Sequence, residues 1–96
     1  MIGLQNNLDL AISQIQKIIN ANKDIVDKEN LGMFYLIENV FVRMKNEYTN
    51  DKSLSKDLIE EFNKVRGITT RAFEGTTLND LVWKINAQLV KACKGL

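Results

Sequence analysis

Apolar residues recur every three or four positions along almost the whole chain, which is the spacing of an amphipathic helix face. The clearest example spans residues 3–21, where polar side chains fall mostly on the opposite side. We find no convincing alternation of period two, so the pattern predicts helices and no strands. The apolar positions of this first segment are Leu4, Leu8, Ala11, Ile12, Ile15, Ile18 and Ile19.

The same spacing predicts three more helices, over about residues 27–48, 54–74 and 78–94. The second has the broadest apolar face, so we expect it to pack between two neighbours. Its stripe is Met33, Phe34, Ile37, Val40, Phe41, Met44 and Tyr48, widened by Leu36 and Val42. The third and fourth stripes are Leu58, Phe62, Val65, Ala72 and Phe73, then Leu78, Leu81, Val82, Ile85, Leu89 and Ala92.

Residues suited to helix ends stand between these segments, and proline is absent from the chain. Short side chains with an oxygen favour the N-cap, because that oxygen accepts a hydrogen bond from a free backbone N–H. The candidates are Asp27 or Asn30 for the second helix, Ser53 or Ser55 for the third, and Thr77, in a capping box with Asp80, for the fourth.

Two glycines of the third segment predict backbone features. Gly75 suits the left-handed C′ position after the third helix. Gly67 lies inside that helix, where glycine costs about 1 kcal/mol relative to alanine. We therefore expect a kink or a close helix crossing at Gly67.

These elements predict the fold class directly. The 96 residues suit one domain, and the connectors of a few residues favour antiparallel packing of successive helices. The sequence therefore predicts a single all-α domain over residues 1–96, an antiparallel four-helix bundle with up-down-up-down topology. The broad face of the second helix is compatible with a monomer or a weak homodimer.

Charge and composition narrow the class of partner. The net charge is +1, which argues against a nucleic-acid binder, although residues 53–96 carry seven basic and five acidic side chains. Lysines near the end of the last helix complement its dipole, and they could also favour an anionic membrane surface. The first residues lack a signal-peptide pattern, and no stretch is apolar enough to span a membrane. We expect a cytoplasmic protein with some peripheral membrane contact.

Residues for ordinary catalysis are missing. The chain has no histidine, a single cysteine at Cys93 and no glycine-rich phosphate loop, so the usual triads and zinc sites are excluded. Cys93 is best interpreted as a small apolar residue. A small helical enzyme that clamps a dicarboxylate would need arginines inside the bundle, and only Arg43, Arg66 and Arg71 are available. We expect no catalytic residues, no metal and no cofactor.

Residues 58–81 carry a resemblance to a known family. This run, with the Leu-Asn-Asp-Leu entry at residues 78–81, resembles the third helix, turn and fourth helix of class II bacteriocin immunity proteins of the enterocin A and lactococcin type. Lactic acid bacteria and streptococci make these small helical bundles against their own bacteriocins. The resemblance implies a non-catalytic protein that binds a bacteriocin-bound permease from the cytoplasmic side, with specificity in the C-terminal half.

The irregular features of this half suggest where a partner would bind. Trp83, the sole tryptophan, falls beside the apolar stripe of the fourth helix and could anchor a protein partner or pack at the bundle edge. The predicted binding residues are Arg66, Arg71, Gly75, Trp83 and Lys84. Two alternatives stay open: a regulatory or phage-encoded helical module that binds a protein or DNA, and a small all-α enzyme.

Overall fold

The computed structural model describes residues 2–51 and 53–92, which form four helices: α1 (Ile2–Asn22), α2 (Lys28–Asp51), α3 (Lys56–Ala72) and α4 (Thr77–Ala92). The predicted fold is confirmed, since these helices form an antiparallel, up-down-up-down bundle with no strand in the described ranges. The predicted ends differ by one to three residues where they can be compared. Residues 93–94 of the fourth predicted helix, Cys93 and the side chain of Ala92 lie outside the description.

The helices are arranged as a ring around one apolar core. α1 contacts α2 and α4, and α3 contacts the same two helices from the other side. The expectation that α2 packs between two neighbours is therefore confirmed, and each of the other helices does the same. The buried apolar side chains come from all four helices and form one cluster.

The predicted stripes supply most of this core, with four exceptions, of which Val42 is only partly buried and lies outside the core cluster. Leu36 was expected to widen the stripe of α2 but is 48% exposed. Ala72 was expected to be buried and is exposed, because α3 ends there at the end of the bundle. Thr69 was not expected in the core, yet it is fully buried. Its hydroxyl donates to the Arg66 carbonyl oxygen at 3.1 Å, which satisfies the buried polar group within its own helix.

Each of the four helix interfaces carries a polar link at its edge. The two ion pairs are half exposed, so each contributes at most about 1 kcal/mol, and their main effect is to favour this pairing of neighbours. The links are Lys45 to Asp9 at 2.6 Å (α2–α1), Arg43 to Glu61 at 2.6 Å (α2–α3), Arg66 to Asn86 at 2.6 Å (α3–α4) and Asn7 to Gln88 at 3.0 Å (α1–α4).

Two predicted N-caps are confirmed. The Asp27 side chain accepts from the backbone N–H of Asn30 at 2.9 Å, which caps α2. The Ser55 hydroxyl accepts from the N–H of Leu58 at 3.3 Å, so Ser55 rather than Ser53 caps α3. Glu47 of α2 accepts from the backbone N–H of Ser55, which fixes the connector against α2.

The predicted capping box of α4 is wrong by one residue. The cap is Thr76, not Thr77, because the Thr76 hydroxyl accepts from the N–H of Asn79 at 3.3 Å. The same hydroxyl donates to the Phe73 carbonyl oxygen at 2.6 Å, which joins the end of α3 to the start of α4. Thr77 is exposed, and it is the first helical residue.

Because Thr76 is the cap, substitutions of Thr76 and of its neighbour Thr77 should change the free energy of unfolding by different amounts. Thr76→Ala should lower the free energy of unfolding by about 1 kcal/mol, because it removes the cap of α4. Thr77→Ala is the matched control and should change it by less than about 0.5 kcal/mol. Urea unfolding followed by circular dichroism measures both, and a larger cost at Thr77 would contradict the assignment.

The glycine predictions have different outcomes. Gly75 has a φ of +78°, so its predicted left-handed conformation is confirmed, although it lies in the turn rather than directly after the cap residue Phe73. Phe73 packs on Phe34 of α2, with ring centroids 5.5 Å apart. Gly67 lies within the continuous helix α3, and a Cβ there would meet nothing within 4 Å. The expected close crossing at Gly67 is therefore wrong.

Candidate functional site

The structure brings together two of the five predicted binding residues. Arg66 of α3 lies over the Trp83 ring of α4, with the guanidinium carbon 5.4 Å from the ring centroid. Arg71, Gly75 and Lys84 are exposed, and no described contact joins any of them to this pair. The predicted patch is therefore an Arg66–Trp83 pair with three separate exposed residues, and its role in binding stays a prediction.

The Arg66 side chain is held in place from two directions. Its Nη1 donates to the Oδ1 atom of Asn86 at 2.6 Å, and its guanidinium carbon lies over the Trp83 ring. A cation over an indole face is attracted by the ring quadrupole, by roughly 0.5–1 kcal/mol at exposed sites. Because Asn86 follows Trp83 by three residues, both partners lie on the side of α4 that faces α3.

A shallow groove between α3 and α4 continues from this pair. It has a volume of about 210 Å³ and is partly apolar, with Leu89 at its floor, where the core begins. The remaining lining residues are Ile59, Asn63, Arg66, Asn86 and Val90. We call this groove, together with Trp83 beside it, the Arg66–Trp83 groove.

The Arg66–Trp83 groove has an exposed apolar rim. Trp83 is 45% exposed and Val90 is 65% exposed, and both lie on α4 at a separation of seven residues, or two helical turns. The other large exposed apolar residues of the described chain are Leu10 of α1, Ile25 of the α1–α2 connector, and Tyr35 and Leu36 of α2. In this groove, exposed apolar surface thus borders the Arg66 guanidinium, which Asn86 and Trp83 hold in place.

Charge distinguishes this groove from a larger depression on the other side of α3. Arg66 carries the sole charge among the residues that line the groove between α3 and α4. The depression between α2 and α3, of about 290 Å³, contains one arginine and three carboxylates. There Arg43 is paired with Glu61 and Glu47 accepts from Ser55, so those groups have structural roles. The carboxylates are Glu47, Asp57 and Glu61.

Sequence reasoning missed four residues of the groove: Ile59, Asn63, Asn86 and Val90. A signal for them exists in the spacing. On α4, Asn86 and Val90 follow Trp83 by three and seven residues, and on α3, Ile59 precedes Arg66 by seven. These separations place them on the same faces as Trp83 and Arg66. The unknown quantity was the register between α3 and α4, which the Arg66–Asn86 hydrogen bond now gives.

The described residues offer no metal centre, since no group of three or more Asp, Glu, Cys or His side chains among them is placed to hold an ion. Within the same ranges, none of the helices combines the length and hydropathy needed to cross a bilayer. The chemistry available in the Arg66–Trp83 groove is that of recognition: a guanidinium fork, an indole face, two amides and aliphatic carbon.

Comparisons of the chain with protein-family models, curated proteins and solved structures find no match. The resemblance of residues 58–81 to bacteriocin immunity proteins therefore stays a prediction from pattern and helix order.

Proposed function

We propose that this protein protects the cell that makes it against a class II bacteriocin, as a non-catalytic immunity protein. In this proposal it acts from the cytoplasmic side, where it binds the complex of the bacteriocin with its membrane permease. The Arg66–Trp83 groove is the proposed recognition surface. The observation that carries the proposal is the pair of partly buried Arg66 and half-exposed Trp83, which lies on the α3–α4 hairpin where the resemblance places specificity.

The fold supports this proposal in two ways. A bundle with one continuous core holds the groove on two packed helices rather than on a loop, which suits a surface that must fit one partner and reject others. The groove also contains tryptophan and arginine, the residue types that most often dominate the energy of protein interfaces. Both features serve binding, and neither requires catalysis or a bound cofactor.

Expression in a bacteriocin-sensitive strain tests the proposal. Cells that make the wild-type protein should survive a higher concentration of at least one member of a broad class II bacteriocin panel, measured as the minimal inhibitory concentration. Trp83→Ala should reduce that protection at least tenfold, because loss of an interface anchor commonly costs 2 kcal/mol or more, roughly thirtyfold in affinity.

Leu10→Ala is the matched control, since Leu10 is also about half exposed but lies on α1. It should leave protection unchanged, and circular dichroism should show that both variants are folded. Unchanged killing by the whole panel would contradict the immunity proposal. Equal loss of protection in both variants would contradict the assignment of the surface.

A further inference from the structure

We propose that the Arg66–Trp83 groove binds an acidic amphipathic helix of its protein partner, with a carboxylate on Arg66 and aliphatic side chains against Trp83 and Val90. The inference rests on the proposed function in that it uses the same surface. It adds the chemistry of the partner segment, which the resemblance does not provide.

Arg66 retains capacity to bind an anion. A guanidinium has five N–H donors, and among the described contacts one of them is used, by the neutral Asn86 amide. No ion pair joins Arg66 to a described carboxylate, whereas Arg43 on the other side of α3 is paired with Glu61. The planar fork matches a carboxylate with two hydrogen bonds, and its orientation is already fixed by Trp83 and Asn86.

The apolar surface of the groove has a shape that suits a helical ligand. The groove runs along two antiparallel helices. On α3 its lining extends from Ile59 to Arg66, two turns or about 10 Å. On α4 the apolar rim extends over the same distance, from Trp83 beside the groove to Val90. A third helix packs naturally in such a groove, with anchors at i, i+3 or i+4, and i+7. A helical ligand would reach both the Val90 end and the Arg66 end with side chains of one face.

The charge of the groove is complementary to that of an acidic ligand. The lining of the groove has no carboxylate, so an acidic ligand meets only the Arg66 charge there. A basic ligand would instead meet an uncompensated like charge, which is unfavourable in a partly buried site. The carboxylates of α3 that face α2 lie in the other depression and therefore do not oppose an acidic helix in this groove.

Trp83 gives a direct readout, because it is the sole tryptophan of the chain. The probes are two 18-residue amphipathic peptides without tryptophan, with leucine at helical spacing and flanks of either glutamate or lysine. We expect the glutamate peptide to shift the Trp83 emission to shorter wavelength and to saturate. The lysine peptide should bind at least tenfold more weakly. Raising the salt concentration should weaken the binding of the glutamate peptide, because salt screens the attraction between charges.

Two variants and a control make the test specific. Arg66→Gln should lower the affinity for the glutamate peptide at least tenfold. Asn63→Asp places a carboxylate in the lining with little change in shape. It should therefore weaken the binding of the glutamate peptide and strengthen the binding of the lysine peptide. Lys64→Gln removes one positive charge from α3 outside this groove and should leave both affinities within twofold.

The inference would be overturned if the wild-type protein bound the two peptides with equal affinity. It would also be overturned if the wild-type protein and Arg66→Gln bound the glutamate peptide with equal affinity. A shift of Trp83 emission with phosphatidylglycerol vesicles but with neither peptide would also overturn it, in favour of a membrane surface. Protection without Arg66-dependent peptide binding would refute this inference alone. Arg66-dependent peptide binding without protection across the bacteriocin panel would refute the proposed function alone.

Discussion

Val82→Asp is expected to leave the protein largely unfolded at neutral pH. Val82 is fully buried in the core, and a carboxylate there would have no described cation or hydrogen-bond donor beside it. Burying an unpaired charge costs several kcal/mol, comparable with the whole stability of about 5–10 kcal/mol expected for a domain of this size. Far-UV circular dichroism and the dispersion of amide proton NMR signals measure the loss of folded structure.

Ala87→Asp is the matched control, because it introduces the same negative charge on the same helix at an exposed position. It should lower the free energy of unfolding by only about 1 kcal/mol or less, since aspartate has a lower helix propensity than alanine. A folded Val82→Asp variant with stability near that of the control would contradict the packing of α4 described above. The two positions are five residues apart, so the comparison tests which side of α4 faces the core.

Phe41→Ala is expected to lower the free energy of unfolding by about 3–5 kcal/mol. Phe41 is fully buried on α2, and its removal leaves a cavity that the neighbouring helices can close only in part. The loss should appear as a lower urea midpoint with a similar slope. Leu36→Ala, on the same helix but at a half-exposed position, should cost about 1 kcal/mol or less. Equal costs at the two positions would be incompatible with this core.

The hydrophobic period predicted the four helices and nearly all of the core. Burial of one helix face requires apolar residues at every third or fourth position, and a single sequence shows that spacing. It failed at Leu36 and Val42, on the margin of the α2 stripe, and at Ala72, the last residue of α3. Thr69 was missed because its hydroxyl is satisfied by the Arg66 carbonyl oxygen, a contact that polarity scales do not represent. The α4 cap was displaced by one residue because Thr76 and Thr77 are equally suitable in type.

The candidate site was predictable only in part. The sequence predicted both Arg66 and Trp83 as binding residues, but it gave no indication that one side chain lies over the other. That fact depends on the register of α3 against α4, which the turn at Gly75 and the bond from Arg66 to Asn86 determine. Arg71 and Lys84 were grouped with them by nearness in sequence, which does not predict a shared face.

The ring of helices has a consequence for how the chain folds. Three of its four interfaces join helices that follow each other in sequence, whereas the fourth joins α1 to α4 across nearly the whole chain. The first three need only short loops to close, so they can form early and quickly. With no proline in the chain, slow prolyl isomerisation does not delay them. We therefore expect the interface between the first and last helices to form last.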